Sequence, residues 1–142
     1  MKYPKTMKSE NYLSLDFYQN LGKLFYAIAS ADGHVHEAEL ITIKEMVKKD
    51  WLSFTYTKDH PTNDEVHQII VTFDRLHSAG NSNGNLLFND FVTFKNTQSH
   101  LFTKKIKELI LKTAIHISES FSGKNKSELM LLAKLNIELN KV

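Results

Sequence analysis

The chain has 142 residues, 42% hydrophobic and 24% charged, which is the size and balance of one globular domain and excludes wholesale disorder. It has no cysteine, excluding disulfides and thiolate metal sites and favouring a cytoplasmic setting. Net charge is +2 and Arg75 is the single arginine. Scattered lysines around one arginine argue against a nucleic-acid reader, which relies on bidentate arginine contacts.

In chain order, Lys2, Lys5 and Lys8 are followed by no apolar stretch, so no signal peptide is expected, and no window approaches the ~18 apolar residues of a membrane span. Residues 1–14 read as a loosely packed N-terminal segment of a single domain covering 1–142. Phe17, Leu21, Leu24, Phe25 and Ile28 then follow i, i+4, i+7, i+8, i+11, one face of a helix. Leu40, Ile43 and Val47 repeat the pattern before Trp51, and residues 53–60 form an irregular linker. Thr62, with Glu65 three residues on, offers a capping box for a helix whose stripe is Val66, Ile69, Ile70, Phe73 and Leu76.

Gly80-Asn81-Ser82-Asn83-Gly84 is a loop by composition. Phe88, Phe91 and Phe94 recur every third residue and predict a helix within 86–101. Ile106, Leu109, Ile110, Ala114 and Ile117 mark another, and Leu129, Leu132, Leu135 and Leu139 mark the last, with Asn125 and Glu128 spaced as a second capping box. The expectation is an all-α compact bundle of about six helices, with antiparallel neighbours joined by short connections.

A faint internal repeat runs through it. An apolar helix over 24–31 leads through Asp32-Gly33 to Glu39-Leu40, and one over 111–117 leads through Ser122-Gly123 to Glu128-Leu129. Duplication of a helix–turn–helix hairpin would bring the two turns near one another.

The most specific local signal is Asp32-Gly33-His34-Val35-His36-Glu37-Ala38-Glu39, which fits the second half of an EF-hand loop. The first half fails, since Ile28 and Ser30 occupy the first and third ligand positions. A purely structural turn also accounts for every residue: a helix ends at Asp32, Gly33 turns left-handed, and Val35 packs back as an apolar cap. Glu37 and Glu39 would then favour the start of the next helix.

Residues 24–39, a small-residue helix ending in Ala31-Asp32-Gly33, then Val35 and an acidic helix start, resemble the signature of the TerB-like (tellurite-resistance B) family. The second hairpin, 115–135, resembles that family's second motif, so the likeness spans about 17–139. The resemblance implies an all-helical, non-catalytic, stress-associated module. It also implies a divalent ion (calcium, magnesium, manganese or zinc) held by acidic residues at the two turns. Carried over, these are Asp32 and Glu39 in the first hairpin and Glu128 in the second. Ser122 stands where the second turn would carry its aspartate, which weakens binding of a hard cation. The alternative is a protein-interaction scaffold with no metal site and another protein as partner.

Seven histidines raise the question of catalysis, but no nucleophile elbow, phosphate loop, HExxH or dinucleotide fingerprint accompanies them. His34 and His36 are two apart, which disfavours convergence on zinc. His60 and His100 fall in expected loops. His67 falls on the polar side of its helix, His77 at its C-terminal end and His116 at a helix surface. Solvated or capping roles are expected for all, and the chain is not expected to be an enzyme.

Overall fold

The computed structural model describes residues 15–31, 35–53, 63–80, 83–120 and 126–141, including all their side chains except those of Asn63, Lys126 and Glu128. These residues form six helices and no strand: α1 (Leu15–Ala29), α2 (Glu37–Leu52), α3 (Asn63–Ala79), α4 (Gly84–Thr97), α5 (Lys104–Glu119) and α6 (Lys126–Leu139). A 3₁₀ turn, Ser99–Leu101, follows α4. The chain is thus the all-α bundle that its apolar periodicity predicts. The expectations placed on residues 1–14, 54–60, Thr62 and Asn125 lie outside the described residues.

The first helix is apolar beyond a single stripe, and that decides its position. Ten of the fifteen residues of α1 are buried, including Phe17, Leu21, Leu24, Phe25, Ala27 and Ile28, and a helix buried on most sides must lie at the centre of a bundle. Accordingly α1 packs against α3, α4, α5 and α6, while α2 rests on α3 and α5, and α5 packs on α6. The two hairpins of the repeat therefore differ in packing, since α2 rests mainly on α3 and α5, meeting α1 through Trp51 and Phe17, whereas α6 packs on α5. Gly22 allows the closest approach: a Cβ there would lie 2.7 Å from Thr72 Cβ and 2.9 Å from the Ile69 carbonyl oxygen.

Aromatic residues close one end of the core. The Phe17 ring lies 6.1 Å from that of Trp51 and 5.6 Å from that of Phe102, and Phe102 meets Phe91 edge-on at 5.9 Å. Such pairs contribute about 0.5–1.5 kcal/mol each beyond their burial. At the other end Tyr26 meets Phe73 edge-on at 5.0 Å, and burial pushes its phenol above the ordinary value of 10.0.

Helix ends refine the expected boundaries. Helix α1 stops at Ala29 rather than Asp32: Ser30 still donates its N–H to the Tyr26 carbonyl at 2.9 Å, with its hydroxyl on the same oxygen at 2.7 Å, but Ala31 N–H turns to the Ile28 carbonyl three residues back, at 3.3 Å. Gly80 ends the α3 segment in the left-handed region, φ 78°. Gly84 opens α4 instead of closing the preceding loop, since the Asn83 side chain accepts from the N–H groups of Asn85 (2.9 Å) and Leu86 (3.2 Å). The 86–101 stretch is split at Gln98 between α4 and the 3₁₀ turn. Thr103 caps α5 by accepting from Ile106 N–H at 3.2 Å. In α6, Leu135 and Leu139 are buried and Leu132 partly so, but Leu129, expected in the same stripe, is exposed.

Candidate functional site

The first turn of α2 carries one of the three expected metal ligands. Val35 is buried, as an apolar cap contact requires, and Glu37 and Glu39 lie in that turn. Glu39 Oε1 accepts the backbone N–H of His36 at 2.9 Å, so the carboxylate serves an orphan donor of its own helix. Asp32 and the side chain of Glu128 lie outside the described residues. No group of three His, Asp or Glu side chains among the described residues is arranged to hold a metal ion. A cation at the turns would have to share the Glu39 carboxylate with this cap, through Oε2 or the remaining lone pairs.

The end of α1 and the starts of α4 and α6 nonetheless border one cavity. The C-terminal end of α1 (Ala27, Ser30, Ala31), the start of α4 (Asn83, Gly84, Asn85) and the first half of α6 (Ser127, Met130, Leu131, Lys134) enclose about 300 Å³. Ala31 and Ser127, the residues before Asp32 and Glu128, thus stand on walls of the same space. A second cavity of about 530 Å³, lined by Asn85, Phe88, Asn89, Val92, Lys134, Ile137 and Glu138, shares Asn85 and Lys134 with the first. Together they form one groove between α4 and α6.

The walls of this groove carry helical periodicity. Asn85, Phe88, Asn89 and Val92 are spaced i, i+3, i+4, i+7 on α4, and Ser127, Met130, Leu131, Lys134, Ile137 and Glu138 form the corresponding face of α6. The starts of both helices lie at one end, and at the other Lys95 Nζ donates to the Glu138 carbonyl at 2.9 Å, so the helices run parallel. Met130 and Ile137 are 53% and 61% exposed, open apolar side chains beside buried Phe88. Between them stands Lys134, which has no carboxylate partner among the described residues. Glu138, the other charged wall residue, is engaged: Oε2 accepts from Lys141 at 2.9 Å and Oε1 lies 3.8 Å from Lys95 Nζ.

A second constellation, unforeseen in the sequence, joins α2 to α5. Asp50 is buried, and its Oδ2 lies 3.0 Å from His116 Nδ1. With the carboxylate as acceptor, Nδ1 carries the hydrogen, which fixes the imidazole tautomer. The buried Thr113 hydroxyl accepts from Trp51 Nε1–H at 3.1 Å and shares its own hydrogen between the Leu109 carbonyl (2.9 Å) and Asp50 Oδ2 (3.4 Å). His116 is therefore an oriented partner of a buried acid, not the freely solvated surface histidine expected. The signal in the sequence was Asp50 on the buried phase of α2, three residues after Val47. Neither Asp50 nor His116 lines the α4–α6 groove or the pocket of about 160 Å³ formed by Lys48, Leu52, Asp64, Val66 and His67. The network reads as a polar staple through the core.

The remaining described histidines sit at the surface. His77 Nε2 lies 3.5 Å from Glu37 Oε2, linking α3 to α2, and its ring lies 6.4 Å from that of Tyr26. His67 and His100 are exposed; His34 and His60 lie outside the described residues. No described helix is long and apolar enough to cross a membrane. No protein-family model, curated protein or solved structure matches the chain.

Proposed function

We propose that the chain is a non-catalytic helical module that binds another protein through the groove between α4 and α6. The observation that carries this reading is the groove itself: two parallel helices, each resting on α1, with Met130 and Ile137 exposed on its wall. Its lining interleaves apolar Phe88, Val92, Met130, Leu131 and Ile137 with Asn85, Asn89 and Lys134, a mixed composition that suits a protein docking surface. The apolar wall and the single arginine favour a protein over a nucleic-acid backbone, which is held by dense positive charge.

A photo-crosslinking amino acid placed at Ile137, and in a control at exposed Glu45 on α2, tests this in the cells that make the protein. A discrete adduct at Ile137 and none at Glu45 is expected. Identical adduct patterns from both positions would remove the groove from consideration.

A TerB-like metal-binding role is the second reading, and one observation favours it. The residues before Asp32 and Glu128 line the same cavity, as a site shared between the two turns requires. Against it stand the capping bond of Glu39 and the positive charge of Lys134 on that cavity's wall, which repels a divalent cation. The stress-associated role belongs to this family reading and stands or falls with it.

A further inference from the structure

Resting on the interaction reading above, we infer that the occupant of the α4–α6 groove is an amphipathic helix carrying a carboxylate that meets Lys134. The shape argues for a helix. Helices α4 and α6 both lie on α1 and turn toward each other faces spaced i, i+3, i+4, i+7, the pattern by which a helix receives another helix. From Ser127 to Glu138 the α6 wall covers twelve residues, roughly 16 Å or three helical turns. That length suits a short helical segment laid along both walls, with apolar side chains against Met130 and Ile137.

The charge argues for an acid. Lys134 lines both halves of the groove, four residues after Met130 and three before Ile137, and no described carboxylate answers it. Glu138 pairs with Lys141 at 2.9 Å and more loosely with Lys95 at 3.8 Å, its buried Oε1 accepting no hydrogen bond, so the described charges on and beside the groove are three lysines against one glutamate. The first turns of α4 and α6 also open into the recess, against the last turn of α1 alone. Their dipoles add positive potential. Covering Lys134 with an apolar helix would desolvate an unpaired ammonium, whereas a glutamate in register removes that cost.

Three acetylated, amidated 14-residue helical peptides provide the test. They share one leucine stripe and differ at the residue between its central leucines, which is Glu, Gln or Lys. Each is titrated into the isotope-labelled full chain and followed by amide chemical shifts. The Glu peptide is expected to perturb Phe88, Val92, Met130, Lys134 and Ile137 and to bind roughly two- to five-fold tighter than the Gln peptide, as an ion pair at a partly exposed site allows. The preference should shrink with added salt. In Lys134→Glu, whose melting temperature serves as the folding control, the order should reverse in favour of the Lys peptide.

Equal binding of the Glu and Lys peptides in the groove overturns the acidic occupant while leaving the groove as an interaction site. No groove shifts with any of the three overturns both. The same shifts on simple concentration of the protein would assign the groove to a second copy of the chain, and the same shifts with inorganic phosphate alone would reduce it to a small-anion site. Either result overturns the proposal.

Discussion

Asp50 occupies the buried phase of α2 and is matched there by three groups from α5 and its own helix: His116, Thr113 and, through Thr113, Trp51. Burying a carboxylate is tolerable only when its lone pairs are used. The same rule makes Asp50 costly to remove, since truncation leaves the His116 imidazole short of its acceptor and opens a gap beside Thr113, which keeps the Leu109 carbonyl. Asp50→Ala should lower stability by about 1–3 kcal/mol. In a double-mutant cycle with His116→Ala, the two losses should fall short of additivity by about 0.5 kcal/mol or more in denaturant unfolding. Strict additivity would mean that the 3.0 Å contact contributes no coupling. An acid three residues after Val47 was legible as an anomaly of pattern. Its partner was not, because His116 lies 66 positions away and only the packing of α2 on α5 brings the two together.

At the scale of elements, the apolar stripes located every helix core, and the structure adjusted the ends. The Ser30 hydroxyl doubles on the Tyr26 carbonyl where α1 gives way to a turn, and Asn83 drew Gly84 into α4 by capping it. These are one-residue contests between side-chain and backbone donors, which periodicity does not resolve. Gly22 is the opposite case, a position where helix propensity and tertiary packing disagree. Alanine would favour the isolated helix by about 1 kcal/mol, yet its Cβ would meet Thr72 Cβ at 2.7 Å and the Ile69 carbonyl at 2.9 Å. A backbone oxygen of α3 moves only if the helix moves. Gly22→Ala is therefore expected to lower the melting temperature by roughly 3–10 °C, the consequence of about 1–3 kcal/mol of overpacking. A rise, as propensity alone demands, would show that α1 and α3 have slack between them.

For the whole molecule, ligand binding and global stability are linked, which separates the two functional readings. An ion that binds only the folded chain stabilises it by about 2.7 kcal/mol at a hundred times its dissociation constant. The interaction reading expects an unchanged melting temperature in millimolar calcium, magnesium, manganese or zinc. An ion-specific rise of several degrees, lost in Asp32→Asn, would instead establish the metal reading and the role of that turn. Lys134 weighs on the same question, since it lines the cavity bordered by Ala31 and Ser127.

The sequence by itself determined that the chain folds into an all-α bundle of about six helices, because burial of apolar surface at period 3.6 is a local property written residue by residue. It also marked the acidic start of α2 and the buried place of Val35. Only the tertiary structure decided which surfaces face one another. It set α1 at the centre, left α4 and α6 parallel with a groove between them, and made Lys134 the exposed charge of that groove. It tied Glu39 to a helix cap and Asp50 to a histidine far along the chain. Contacts of this kind depend on how helices cross in space, and no spacing along the chain encodes them directly. The proposed interaction site is accordingly a recess built by two helices distant in sequence, which no local motif announces.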